Sequence, residues 1–196
     1  MPSLKNVSNA DQNGYRTCEY QGITRKFILY VPKSATPNSP LVFLLHGYGG
    51  TAASIQTQTG INEAAERYGY VMVYPQGAKD PADGTAAAAW NSGLKAQGND
   101  DVGFLKALAN YLIKTYGYGK AGVFAAGFSN GAFMMYRLAN EADDTFRAVA
   151  SVAGFMPDSV WEARKDKASI GILQINGTKD DVVSLDVSYN AAPPIY

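Results

Sequence analysis

Gly122-Val123-Phe124-Ala125-Ala126-Gly127-Phe128-Ser129-Asn130-Gly131-Ala132-Phe133-Met134-Met135-Tyr136-Arg137-Leu138-Ala139 is the stretch from which the fold is read. Its first residues predict a short buried strand, and the run from Ala132 predicts a helix. Between them lies Gly-x-Ser-x-Gly. The turn needed there is so tight that small residues must stand two before and two after the serine. Strand, turn and helix in this order make a nucleophile elbow. The Ser129 hydroxyl then sits at the carboxyl end of a strand. The helix behind it aims backbone N–H groups and a positive dipole end at any oxyanion formed there. The plain alternative is a structural turn that happens to contain serine.

Working outward, Leu41-Val42-Phe43-Leu44-Leu45 and Tyr70-Val71-Met72-Val73-Tyr74 are continuous apolar runs. Such runs suit strands buried on both faces of a parallel sheet. The first ends in His46-Gly47-Tyr48-Gly49-Gly50 and the second in Pro75-Gln76-Gly77. Tyr15 to Tyr20 and Ile23 to Val31 are strand-like, with the turn signal Gln21-Gly22 between them. Helical spacing predicts a helix from about Ile61 to Tyr68 and a second from Asp101 to Tyr116, with Asp100-Asp101 at its positive end. A third runs from Asn130 to Asn140. Strands are expected over Ala121 to Ala126, Phe146 to Val152 and Ile170 to Ile175. Ala78 to Asn99 reads as one long loop with Trp90-Asn91 near its centre. Strands alternating with helices predict an α/β fold with a mainly parallel sheet and helices on both faces. Residues 1–196 read as a single domain.

Composition narrows the function. Formal net charge is zero, which gives no electrostatic ground for a nucleic-acid or acidic-polymer partner. No apolar run of about 20 residues exists to span a membrane, and no signal peptide is visible at Met1-Pro2-Ser3-Leu4. Cys18 is the only cysteine, so it has no intrachain disulfide partner and reads as a buried small hydrophobe. With one histidine and no cysteine pair, a metal site has almost no support.

Acyl transfer from an ester needs a nucleophile, a proton acceptor for it, and donors for the oxyanion. Ser129 fills the first role. The backbone N–H of Asn130, the residue after the nucleophile, is one donor. The other belongs to the glycine-rich loop after the third strand, with Tyr48 favoured. Asp180, just past the strand Ile170 to Ile175, is the candidate acid, with Asp181 next in line; both also read as solvated turn residues. His46 precedes the glycine-rich loop. It reads either as a scaffold group that hydrogen-bonds backbone and fixes that loop, or as a base for Ser129. The usual chain order is serine, acid, histidine, and no histidine follows Ser129 in this sequence. Trp90, Tyr48 and Phe128 read as cleft-lining or as packing.

These pieces, taken together, resemble a known family: the polyhydroxybutyrate-depolymerase-like and feruloyl or acetylxylan esterases of the α/β-hydrolase superfamily. The resemblance runs from residue 15 to about residue 183. It is carried by Ile23-Thr24-Arg25-Lys26 to Tyr30-Val31-Pro32, Leu45-His46-Gly47, Tyr74-Pro75-Gln76-Gly77, Trp90-Asn91, Asp100-Asp101-Val102-Gly103-Phe104, the elbow, and Gly177-Thr178-Lys179-Asp180 with Val182-Val183. It implies Ser129 as nucleophile, Asp180 as acid, a histidine from a later segment, and no cofactor. It also implies secretion and small-molecule, polysaccharide or polyester esters as substrates. Asn176 stands where the family usually has histidine, and the match fades from Ser184 to Tyr196. The chain therefore resembles an esterase domain lacking its last strand and helix, which is expected to expose apolar surface and favour a homodimer. The first functional expectation is a serine carboxylesterase. The rivals are a binding protein for acylated carbohydrate, and an acyltransferase or thioesterase on the same scaffold.

Overall fold

The two apolar runs that lead into the glycine-rich loop and into the elbow lie side by side at the centre of one sheet. The computed structural model describes residues 2–79, 86–94, 98–164 and 170–185. In chain order the elements are β1 (Tyr15–Tyr20), β2 (Ile23–Tyr30), β3 (Leu41–Leu45), α1 (Ala52–Thr59), α2 (Asn62–Tyr68), β4 (Val71–Gln76), β5 (Ala78–Lys79) and β6 (Ala88–Ala89). Then follow α3 (Asp101–Tyr116), β7 (Val123–Phe128), α4 (Asn130–Glu141), β8 (Ala148–Val152), α5 (Asp158–Glu162) and β9 (Gly171–Ile175).

Seven strands form a sheet in the order β1-β2-β4-β3-β7-β8-β9. The β1–β2 and β2–β4 pairs are antiparallel; β4, β3, β7, β8 and β9 run parallel. The core explains the run of apolar residues in β3. Leu41, Phe43 and Leu45 pack on one face with Leu105 and Leu108 of α3, Met134 and Leu138 of α4, and Phe146. Leu44 faces the other way, with Ile28, Ile55 of α1, Ala65 of α2, Met72 and Tyr74. A strand covered on both faces has no polar alternation. β9 differs. It pairs with β8 at one edge of the sheet, yet Ile172, Leu173 and Ile175 are exposed.

Several expectations shift. The strand expected over Ala121 to Ala126 begins at Val123 and runs through Gly127 to Phe128, so the elbow glycine is itself a strand residue. Helix α1 has no clear signal in the sequence because its body, Ala-Ala-Ser-Ile-Gln-Thr-Gln-Thr, carries only a thin apolar stripe. Its start is nevertheless capped: the Thr51 side chain accepts from Ser54 N–H, and Ser54 Oγ accepts from Thr51 N–H. The loop expected over 78–99 contains the β5–β6 ribbon, Ala78 opposite Ala89; residues 80–85 and 95–97 of that loop lie outside the described residues. Residues 186–196, where the family resemblance fades, lie outside them too.

Asp100 and Asp101 divide their work. Asp100 caps α3, accepting the Gly103 N–H at 2.9 Å. Asp101 turns inward and pairs with Arg25 of β2 at 2.6 Å, both side chains buried. Its second oxygen accepts the Asn91 N–H at 2.7 Å. The Arg25 guanidinium also lies 4.0 Å from the centre of the Phe104 ring. Burial pushes the Asp101 carboxyl above its ordinary value, while Arg25 and the Asn91 amide pull it back. A buried pair is a poor source of net stability, but removing one partner strands the other charge, at about 3–5 kcal/mol. Asp101→Asn is expected to lower the urea midpoint by an amount equal to about 3 kcal/mol with little change in slope. An unchanged midpoint would contradict the pair's role.

Candidate active site

Ser129 is the hinge between β7 and α4. Its backbone has φ 52° and ψ −118°, a conformation that a residue with a side chain adopts only when its surroundings enforce it. The enforcement is visible. Ser129 N–H donates to Val152 O of β8 at 3.0 Å, and Ser129 O accepts the N–H groups of Ala132 and Phe133 at 2.7 and 3.0 Å. A methyl group on Gly127 would run into the Gly131 carbonyl. One on Gly131 would stand 2.6 Å from Leu45 O and 2.7 Å from His46 O. The first turn of α4 is thus pressed against the end of β3, and only glycine fits.

The same approach brings the glycine-rich loop to the serine. A Cβ on Gly47 would meet Ser129 Cβ at 3.3 Å and the Phe128 ring at 3.4 Å. Tyr48 follows directly and is half-buried; Ser129 is half-buried and Phe128 is largely exposed. Asn130 is buried, as the first residue of α4. Amides at a helix start have no partners inside the helix. The structure therefore gathers Ser129, Asn130 and the Gly47–Tyr48 loop at one spot, the carboxyl ends of β3 and β7.

His46 is 1% exposed. Its Nε2 accepts the Gly77 N–H at 2.9 Å, so the proton sits on Nδ1, which donates to Gly47 O at 2.7 Å. Gln76 Nε2 stands 3.0 Å from the same Nε2, while Gln76 Oε1 accepts the Ala52 N–H at 2.9 Å. Both ring nitrogens are thus engaged away from Ser129, on the backbone of the glycine-rich loop and of the segment after β4.

Trp90 is fully buried, so it does not line a cleft; it is packing. Its indole N–H donates to His46 O at 3.0 Å and its ring lies against the imidazole. The Asn130 side chain reaches the same segment: Oδ1 accepts the Trp90 N–H at 2.7 Å, and Nδ2 lies 3.3 Å from Trp90 O and 3.2 Å from Ser92 Oγ. These side-chain bonds of Gln76 and Asn130 were not read from the sequence. Only the presence of amide side chains within the Pro-Gln-Gly and elbow motifs could have flagged them.

Asp180 lies beyond the end of β9, with β7 and β8 between β9 and β3 in the sheet. Its Oδ1 accepts the N–H groups of Val182 and Val183 at 2.9 and 2.8 Å, which fixes the carboxylate in a local turn. Asp181 is exposed. Asn176, at the end of β9, directs Nδ2 toward Gly154 O at 3.5 Å. Among the described residues, no cluster of three or more His, Cys, Asp or Glu stands ready to hold a metal, and no helix is long and apolar enough to cross a membrane.

Burial drives the His46 pKa below its ordinary value of 6.5, with the bond to Gly47 opposing. The unfolded chain therefore takes up this proton at a higher pH than the folded one. The stability it confers is present above about pH 6.5 and is lost as pH falls toward the lowered folded value. Between about pH 6.5 and 5, Tm should fall more steeply for the native protein than for His46→Gln. Parallel profiles would contradict this.

The family model "Esterase PHB depolymerase" matches residues 25–192. Relatives include a protein of Nocardia uniformis subsp. tsuyamanensis named as an esterase, NocK, 34% identical over 84% of this chain and 48% of its own length. Another is the bifunctional acetylxylan esterase/xylanase XynS20E of Neocallimastix patriciarum, 29% identical over 84% of this chain and 22% of its own length. The chain thus spans about half or less of the curated relatives it matches. Among solved structures, an S-formylglutathione hydrolase from Agrobacterium tumefaciens aligns over 91% of this chain and 80% of its own, with TM-score 0.64 and 14% identity. That likeness shows an α/β-hydrolase fold.

Proposed function

The chain belongs to the esterase PHB depolymerase family, and from that premise we propose that it hydrolyses carboxylic esters through an acyl group carried on Ser129. The observation that supports this most is the strained Ser129 backbone directly facing Gly47. Strain held this tightly at a loop junction suits a hydroxyl that must project beside oxyanion donors.

In this reading Ser129 Oγ attacks the ester carbonyl carbon and its proton leaves to solvent. The carbonyl oxygen becomes an oxyanion, which accepts hydrogen bonds from the N–H groups of Tyr48 and Asn130. Collapse expels the alcohol, and water then releases the acid from Ser129. Losing one oxyanion donor would cost about 3 kcal/mol of transition-state stabilisation. Asp180 is the acid that would orient an imidazole, with its carboxylate held by Val182 and Val183. The one histidine of this sequence is committed to Gly47 and Gly77. Turnover by this chain therefore relies on hydroxide as the base, and esters with good leaving groups are its best substrates. A serine hydrolase missing one triad member keeps roughly 10³–10⁴-fold catalysis over water. By analogy with the relatives, the natural substrates are acetyl or feruloyl esters of plant polysaccharide, met outside the cell.

With p-nitrophenyl acetate, turnover should exceed that of Ser129→Ala assayed beside it at the same pH. It should rise about tenfold per pH unit from about pH 6 to 8, with no levelling at an imidazole pKa. Equal rates for the two proteins would overturn the esterase reading. They would favour the second reading, a binding protein for acylated carbohydrate, which the occupied ring of His46 also suits.

A further inference from the structure

We propose that Trp90 is a positioning residue that sets the glycine-rich loop against the elbow, and so fixes the spacing between the two oxyanion amides; this rests on the esterase reading above. Three segments meet at this tryptophan. The loop after β3 is tied to Trp90 and to the strand before it: the indole N–H donates to His46 O at 3.0 Å, and Gly49 N–H donates to the carbonyl of Ala88, two residues before Trp90, at 2.8 Å. The elbow is tied to it by the Asn130 side chain, which accepts the Trp90 N–H at 2.7 Å and lies within reach of Trp90 O and Ser92 Oγ. Asn130 thus contributes its backbone N–H to the oxyanion and its side chain to the clasp.

The segment is in turn anchored at its far end. Asn91 N–H donates to the buried Asp101, Arg137 of α4 donates to Asn91 O at 2.7 Å, and Asn91 Nδ2 donates to Asn99 O at 2.9 Å. A segment bonded on both sides can act as a strut. Trp90, Ala88 and Ser92 carry bonds that join it to the loop and to the elbow. A buried tryptophan needs one partner for its N–H. Here that partner is the carbonyl of the residue that opens the glycine-rich loop.

Catalysis is sensitive to such spacing, because a misplacement of about 1 Å can cost 10²-fold. Trp90→Phe removes the indole donor and keeps an aromatic ring. It should lower kcat for p-nitrophenyl acetate about tenfold with KM within about twofold, and speed hydrogen exchange of the Gly47–Gly50 amides. Leu112→Val, a core change in α3 remote from the site, reports what loss of stability alone does and should leave both readings near native. Ser92→Ala, which removes one partner of Asn130, should move both in the same direction by about threefold. If Trp90→Phe does not fold, this variant decides. Native kcat and native loop exchange in the variant, or changes matched by Leu112→Val, would overturn the proposal. If the native protein turns over no faster than Ser129→Ala, the esterase reading has failed, and exchange at Gly47–Gly50 alone judges whether Trp90 holds the loop.

Discussion

The site depends on the close approach of α4 to the end of β3. Gly131 sits where any side chain would strike Leu45 O and His46 O, and Gly127 sits where any side chain would strike Gly131. This contact forces the chain to turn at Ser129 within a single residue and to accept a positive φ there. It also determines where the glycine-rich loop begins, because His46 follows β3 directly. The nucleophile candidate and the glycine-rich loop are therefore adjacent for one reason: two glycines allow a helix start to press on a strand end.

His46 shows how one side chain can serve structure at the expense of chemistry. An imidazole that accepts from Gly77 and donates to Gly47 makes two strand ends behave as one unit. Burial also disfavours its imidazolium form. A catalytic base needs the opposite conditions: access to the serine and a pKa near the working pH. The scaffold role, set beside the base role from the sequence, is the one the hydrogen bonds describe.

Much of this was legible because parallel strands buried on both faces leave uninterrupted apolar runs, as in Leu41–Leu45, and because Gly-x-Ser-x-Gly has so few structural solutions. The elements that escaped had weak local signals. Helix α1 buries only Ala52 and Ile55, so its stripe is too thin to stand out. The β5–β6 ribbon pairs two residues with two, below any periodicity. Asp101 read as a helix-terminus charge because nothing local indicates that Arg25, 76 residues away, waits inside the fold. Trp90 read equally as cleft or core; its burial depends on long-range contacts with His46 and Asn130. The comparisons bring the family and the α/β-hydrolase fold into agreement with the sequence reading. The individual catalytic roles are proposals argued from the geometry.

Trapping of the acyl-enzyme tests that geometry most directly. In the proposed mechanism the acyl group leaves Ser129 slowly, so mass spectrometry of protein quenched in acid after brief exposure to p-nitrophenyl acetate should find one acetyl group on the peptide containing Ser129. The Ser129→Ala protein should carry none there. Acetyl groups scattered over lysines and tyrosines, with the serine peptide unmodified, would contradict the account.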